Sequence, residues 1–136
     1  MDRISPEQRS WNMSRIRGKN TKPEITVRSL LHRMGFRFRL HVAGLPGRPD
    51  IVLPRHKTVI FVHGCFWHRH RGCKFAYTPK SRIKFWNSKF AQNLARDKHS
   101  LTLLRKAGWN VITIWECEAA SQNSLQWIID KHLARV

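Results

Sequence analysis

Residues 49–73 read PDIVLPRHKTVIFVHGCFWHRHRGC. An acid, Asp50, leads a short apolar run, Ile51-Val52-Leu53. Four residues, Pro54-Arg55-His56-Lys57, break the run, and a second one, Val59 to Val62, ends in His63. Both runs are short, β-branched and bounded by turn signals, the pattern of two strands in a hairpin. With Pro54 to Lys57 as the loop, Leu53 faces Thr58 and Asp50 faces Phe61. His63 is then the diagonal neighbour of Asp50 on the same sheet face. A slip of one residue would put the two on opposite faces. In the expected register a carboxylate and an imidazole converge at the end of a sheet. The ordinary alternative is an acid in a turn and a histidine at a strand end.

The stretch ends in a second constellation, Cys65, His70 and Cys73. Thiolates and imidazoles are the ligands zinc prefers, and a structural zinc takes four. The remaining cysteine is Cys117, after a strand-like run far along the chain. Cys65, His70, Cys73 and Cys117 would form a Cys3His site that uses all three cysteines of the protein. His68 competes with His70 for the fourth place. Without a metal these are three buried or idle thiols.

The chain has 136 residues, enough for one domain with a modest core. Lys and Arg number 26 against 8 acids, a formal net charge of +18. An excess of that size implies a polyanionic partner, with nucleic acid first and an anionic membrane surface second. No long apolar segment or signal-peptide pattern occurs, so a soluble intracellular protein is expected; it is also expected to be a monomer. Three cysteines cannot all pair within one chain, which fits a reducing compartment and metal use better than disulfides.

Ser5-Pro6-Glu7-Gln8 has the cap residue, first-turn proline and capping-box Gln of a helix start. Residues 1–20 are therefore expected to form a basic helix or arm carrying Trp11, Arg15 and Arg17, ahead of a single domain over 21–136. Thr21-Lys22-Pro23-Glu24 repeats the start signal. Val27, Leu30, Leu31 and Met34 follow at helical spacing, and Gly35 closes that helix. Glu24, at the third helical position, is either the capping-box acid or a second carboxylate for a metal site. Phe36 to His41 alternates like a strand with one buried face, and 43–49 is a loop that delivers Asp50.

A long helix is expected from a cap at Ser81, with a stripe of Ile83, Trp86, Phe90, Leu94, Leu101 and Leu104. The spacing demands a core residue at 97, where the sequence has Asp97. A carboxylate on a buried stripe needs a partner. His68 is one candidate, and any of the abundant Arg and Lys side chains is another. Gly108 ends the helix. A strand over 109–115 leads to Glu116 and Cys117, and a last helix carries Leu125, Ile128, Ile129 and Leu133 on one side. The expected order is ααβββαβα.

Leu-Pro-Gly-Arg-Pro-Asp (45–50), Val-Ile-Phe-Val-His-Gly-Cys-Phe-Trp-His (59–68) and Trp-Glu-Cys (115–117) resemble the very-short-patch mismatch repair endonucleases over nearly the whole chain. The resemblance implies a restriction-endonuclease-like α/β fold, a mixed β-sheet flanked by helices with a structural zinc site. It also implies magnesium-dependent nicking of DNA 5′ of the thymine in a T:G mismatch, the product of 5-methylcytosine deamination. The substrate would be double-stranded DNA, met in the bacterial cytoplasm at the nucleoid, with repair-pathway proteins as possible partners. That fold usually carries Pro-Asp and then Asp/Glu-x-Lys on the next strand. Here the second element reads Phe61-Val62-His63, a departure the family shares.

By resemblance Asp50 bridges the metals and the backbone carbonyl of Val62 supplies another oxygen. Relatives carry Thr at this position, so Val62 removes any hydroxyl role and leaves the carbonyl. His63 and His68 would serve near the scissile phosphate, with His68 oriented by Asp97, and Glu24 would reach the site through metal-bound water. Phe66, Trp67 and Trp86 would insert beside the mismatch. The residues alone leave Phe66 and Trp67 equally readable as core under the zinc loop. Two other functions fit the residues: a non-catalytic zinc DNA-binding module, and a restriction-type nuclease cutting both strands.

Overall fold

Thr21 starts the first helix, α1 (Lys22–Arg33), by accepting the Glu24 N–H on its hydroxyl at 3.4 Å, with Pro23 in the first turn. The computed structural model describes residues 21–66, 68–74, 76, 77 and 79–133. The expected N-terminal arm at 1–20 and Trp67 lie outside the described residues. Val27, Leu30 and Leu31 are buried at helical spacing, and Gly35 closes the helix at φ +87°.

Two short strands follow, β1 (Arg39–Leu40) and β2 (Ile51–Leu53). The strand expected over 36–41 is thus reduced to two exposed residues. Phe36 turns into the core straight after the helix, and His41 takes a left-handed φ of +49°, so neither end continues the pleat. A single 3-10 turn, Pro54–His56, with Lys57 left-handed at φ +50°, links β2 to β3 (Thr58–His63). Leu53 pairs with Thr58, Val52 with Val59 and Ile51 with Ile60, the register expected from the four-residue loop.

The second helix, α2 (Ile83–Lys106), has 24 residues. It forms the crossover that a parallel pair of strands requires. Strand β4 (Asn110–Trp115) then lies parallel to β3, with His63 opposite Trp115. A short helix α3 (Glu116–Ala119), absent from the expected order, precedes α4 (Gln122–His132). The result is a mixed four-stranded sheet in the order β1-β2-β3-β4, flanked by helices. No described helix is long and apolar enough to cross a membrane.

Alternation sorts the strands between two cores. Ile51, Leu53, Ile60, Ile112 and Ile114 pack with α1 and with Leu125, Ile128 and Ile129 of α4. Val52, Val59, Phe61 and Val111 pack on the other face with Leu104 of α2. His63 has the parity of Phe61 and stacks on His68, which pairs with Asp97 of α2, so it belongs to the α2 side.

Helix α2 differs from the expected stripe in phase. Trp86, Phe90 and Leu104 are buried, and Asn93, Asp97 and Ser100 are half-buried on the same side. Ile83 and Leu94 are about half exposed, at 53% and 48%. The buried arc is centred on positions 86, 97 and 104, and 83 and 94 lie at its margin. Nor does Ser81 cap the helix. Arg82 is the cap, left-handed at φ +53° and without a side-chain cap bond, and its guanidinium lies 4.3 Å from the Phe85 ring centre.

Gly47 ties the loop before Asp50 to this helix. A Cβ at Gly47 would lie 2.7 Å from Ser100 Oγ and 2.8 Å from Ser100 Cβ, and its φ of +74° favours glycine in any case. The close approach seats Pro49 and Asp50 at the end of β2.

Candidate active site and metal centre

Extending the β2/β3 register by two residues sets Pro49 opposite Val62. Proline has no N–H to give the Val62 carbonyl, so the ladder is interrupted there. The Val62 N–H is taken instead by the side chain of Asp50, whose Oδ2 accepts it at 2.7 Å. Within a strand the N–H and C=O of one residue point the same way, so the Val62 carbonyl also faces Asp50. The Val62 carbonyl thus lies on the same side of β3 as the Asp50 carboxylate, whatever side chain stands at position 62.

Glu24 completes this group from α1. It is buried, 1% exposed, and accepts from Arg28 Nη1 at 3.2 Å on Oε2. His41 Nε2 lies 2.9 Å from both its oxygens. Ligand atoms of Glu24, His41 and Asp50 all fall within 4.8 Å of one another, as a metal site requires. Burial is the main cause that pushes Asp50 from 3.8 up to about 7; the Val62 N–H opposes it, and the neighbouring charge of Glu24 adds to it. A bound cation would relieve that penalty. Glu24 therefore sits with the metal-site candidates rather than serving only as a cap residue.

His63, at the end of β3, heads a second group. Its ring stacks on His68 at 3.8 Å with an interplanar angle of 4°. His68 Nδ1 lies 2.5 Å from Asp97 Oδ2. Such a bond fixes the tautomer and aims the other ring nitrogen, Nε2, away from the acid. Burial lowers His63 from 6.5 to about 4, with the charge of His68 adding to the effect and that of Asp97 opposing it. His63 is thus neutral at pH 7 and able to accept a proton. The β2/β3 register is the one expected, but Asp50 and His63 do not converge on one group: each heads its own cluster.

The third group follows from the parallel pairing. Because β3 and β4 end side by side at His63 and Trp115, the segments leaving them bring Cys65 and Cys117 together. Cys65, His70, Cys73 and Cys117 could hold a metal ion. His70 Nδ1 lies 3.6 Å from Cys65 Sγ and 3.4 Å from Cys117 Sγ. His70 stacks on Trp115 at 4.2 Å, and Cys65 N–H donates to Glu116 Oε1 at 3.2 Å. The choice left open between two histidines resolves geometrically, since His68 is engaged with Asp97. Burial pushes the Cys65 thiol up to about 12 and that of Cys117 upward. A cation would reverse this, because zinc ligands bind as thiolates.

Phe66 packs against Trp86, Phe90 and Tyr77, with ring centres 5.4, 5.2 and 4.9 Å away. Two of the three aromatics expected at DNA, Phe66 and Trp86, therefore touch each other, and Trp86 is buried. The surface beside them carries Tyr77 and Phe85, 57% and 39% exposed, which the sequence reading did not single out.

His41 was the main omission from the candidate site. The available signal was strand pairing: Leu40 pairs with Ile51, which sets His41 opposite Asp50.

A mixed sheet with acids, stacked histidines and a Cys3His cluster able to hold a metal ion is the frame of an α/β protein. The family model described as DNA mismatch endonuclease Vsr matches residues 1–74. The type II nicking enzyme V.XorIIP of Xanthomonas oryzae pv. oryzae is 50% identical over 125 residues, 92% of this chain and 91% of the relative. The type II nicking enzyme V.NmeAIP of Neisseria meningitidis is 45% identical over 86% of this chain and 83% of its own. The DNA mismatch endonuclease Vsr of Escherichia coli is 41% identical over 86% of this chain and 74% of its own. The chain belongs to the DNA mismatch endonuclease Vsr family.

Proposed function

We propose that this chain is a magnesium-dependent endonuclease that nicks one DNA strand 5′ of the thymine in a T:G mismatch. Such mismatches arise by 5-methylcytosine deamination, and the nick would start very-short-patch repair. The observation that carries the proposal is the juxtaposition at the end of β3. One group offers the oxygens of Asp50 and Glu24 beside His41 and the Val62 backbone. The other offers two stacked imidazoles, His63 and His68, backed by Asp97. The names of the relatives, nicking enzyme and mismatch endonuclease, support the same reading.

Asp50 and the Val62 carbonyl would hold magnesium, a hard cation that takes oxygen ligands and keeps several waters, and Glu24 would reach it through one of those waters. When bound, magnesium stabilises charge on the phosphate and activates a water. The protein's own residues do the rest. His63, neutral, can accept a proton; His68, turned by Asp97, presents Nε2 where the phosphate would lie. Bond lengths of about 2.3 Å for Zn–S and about 2.0 Å for Zn–N, at tetrahedral angles, give an S···N edge of about 3.5 Å. The observed 3.4 and 3.6 Å fit zinc at the Cys3His centre. Four protein ligands would leave no open position, so a zinc held by Cys65, His70, Cys73 and Cys117 would be structural and would tie the loop after β3 to the end of β4.

We read the sheet as restriction-endonuclease-like and the protein as a monomer acting in the bacterial cytoplasm on nucleoid DNA. Residues 1–20 would be a basic arm on that DNA, ahead of one endonuclease domain over 21–136. The net charge of +18 supports a polyanionic substrate. The test is cleavage of a T:G duplex against its T:A counterpart, with and without magnesium. Nicking of the T:G duplex alone, on one strand and with magnesium, is expected. Equal cleavage of both duplexes on both strands would make this a restriction-type nuclease. Binding without any cleavage would make it a zinc DNA-binding module.

A further inference from the structure

His41 lies at the turn from β1 into the loop that delivers Asp50. Its N–H donates to the Asp50 carbonyl at 3.1 Å, so the backbones of the two residues are locked together. Its φ of +49° is left-handed, a conformation that is uncommon for a residue with a side chain and recurs at functional sites. From there the ring reaches Glu24, 17 positions earlier, and Nε2 stands 2.9 Å from each carboxylate oxygen. A carboxylate offers only acceptors, so the proton is on Nε2, and the forked contact fixes both oxygens.

Glu24 is not at a position where packing asks for an acid. The other buried residues of α1 are Val27, Leu30 and Leu31, all apolar and all in the core cluster that Glu24 stays out of. Two acids, Glu24 and Asp50, are instead brought together, with ligand atoms within 4.8 Å of each other and of His41. Neighbouring buried acids either share a proton or hold a cation between them, and the oxygens here lie close enough for one ion. Arg28 approaches Oε2 of Glu24 from one side, and His41 forks over both oxygens.

We infer that His41 is a positioning residue of the metal site, holding the Glu24 carboxylate beside Asp50 through Nε2. Because Nε2 is already spent on Glu24, His41 acts through that acid rather than as a ligand. The inference rests on the reading of Asp50 and Glu24 as the magnesium site. Partners that orient a metal-site group typically change metal affinity or activity by about 10- to 100-fold when removed.

The test uses the full chain with a T:G duplex and compares the parent with His41→Ala and His41→Gln. His41→Ala should keep its zinc and its DNA affinity, while the magnesium concentration for half-maximal nicking rises about 10- to 100-fold. His41→Gln, whose amide can still donate toward Glu24, should recover part of that loss. An independent readout is the imidazole nitrogen NMR spectrum without magnesium. His41 should show a protonated, hydrogen-bonded Nε2 whose signal shifts in Glu24→Ala. An unchanged magnesium requirement in His41→Ala, alongside a lower melting temperature, would reduce His41 to packing. A His41 spectrum indifferent to Glu24→Ala would also overturn the inference. If the parent itself nicks without magnesium, the metal-site reading fails; the spectrum then still decides whether His41 carries Glu24.

Discussion

Val62 gives its backbone N–H to Asp50 Oδ2 at 2.7 Å, where an uninterrupted strand pair would have a ladder bond to residue 49. Pro49 has no N–H to return to the Val62 carbonyl, which weakens the pairing there, and the carboxylate of Asp50 takes the Val62 N–H in place of the Pro49 carbonyl. The Pro-Asp pair thus acts as a unit: one residue opens the sheet edge and the other occupies the opening.

Asp50→Asn should abolish nicking, because the amide keeps the Val62 contact and loses the charge that would hold magnesium. The same change should stabilise the metal-free protein at alkaline pH. Burial raises Asp50 from 3.8 to about 7, so its protonated form favours the fold. That contribution is complete below the unfolded value of 3.8 and is lost as the pH rises through about 7. Asparagine does not titrate. Without added magnesium, Asp50→Asn should melt above the parent at pH 8, on the order of a few °C. The gap should close as the pH falls toward 4. His63 has the opposite sign in both proteins, its contribution being lost as the pH falls from 6.5 through about 4. Equal melting temperatures at pH 8 would mean that Asp50 is well solvated.

Asp97 fixes His68 across 29 positions of chain at 2.5 Å. Asp97→Asn would substitute an amide that can present its donor to Nδ1 and select the other ring tautomer. General acid–base groups contribute about 10²- to 10⁴-fold. A loss in that range is expected in single-turnover nicking, with DNA affinity and zinc content unchanged. A near-parental rate would remove the His68–Asp97 pair from the chemistry.

Much of this was legible in the sequence, and the exceptions have physical causes. The hairpin register could be read because Pro54 to Lys57 has one economical turn and an alternating apolar pattern on both sides. Asp97 stood out because a helical stripe demanded a core residue at that position. His41 did not, because its role depends on a left-handed twist that ends a two-residue strand, and no periodicity encodes that. The phase of α2 was also hidden: the apolar residues 83 and 94 outweighed Asn93 and Ser100 in the pattern. The middle of the helix's inner side is polar where Asp97 meets His68 and Ser100 meets the Gly47 loop.

Gly47 and Ser100 offer a test of how the loop delivers Asp50. Gly47→Ala would drive a methyl group to 2.7 Å from Ser100 Oγ at a φ of +74°. Destabilisation of about 1–3 kcal/mol is expected from the crowding and the backbone strain together. Removing the obstacle with Ser100→Gly should recover only part, since the φ strain remains. Chemical denaturation of both variants measures this. Full recovery in the double variant would assign the whole effect to the Ser100 contact.

The Cys3His centre should contain one zinc per chain by elemental analysis. Cys117→Ser should lose most of it and fold poorly. Structural zinc contributes apparent binding free energies of about 10–16 kcal/mol in small domains, as large as the whole stability of a typical fold. His70→Ala should behave alike, and His68→Ala should keep its zinc. Active protein without zinc would make these three thiols ordinary buried groups.

The last prediction concerns how a mismatch is sensed. Phe66 packs edge-on against Trp86 and Phe90, and Arg69 lies 4.1 Å from the Phe90 ring centre, with Nη1 donating to the Tyr77 carbonyl at 2.9 Å. In the free protein these aromatics therefore serve each other. To enter a duplex they would have to exchange that packing for base stacking. Unstacking a base step costs a few kcal/mol, and less at a mismatch, where pairing is already weakened. The balance between the two costs would favour T:G over T:A without any base-specific hydrogen bond. We predict that Trp67→Ala keeps fold and zinc and loses much of the T:G preference. Phe66→Ala and Trp86→Ala should lose stability as well as preference, because each also removes a packed ring. Nicking rates on paired T:G and T:A duplexes, set beside melting temperatures, separate the two effects. If Trp67→Ala discriminates as well as the parent, and Phe66→Ala and Trp86→Ala lose only stability, the cluster is core and the mismatch is read elsewhere.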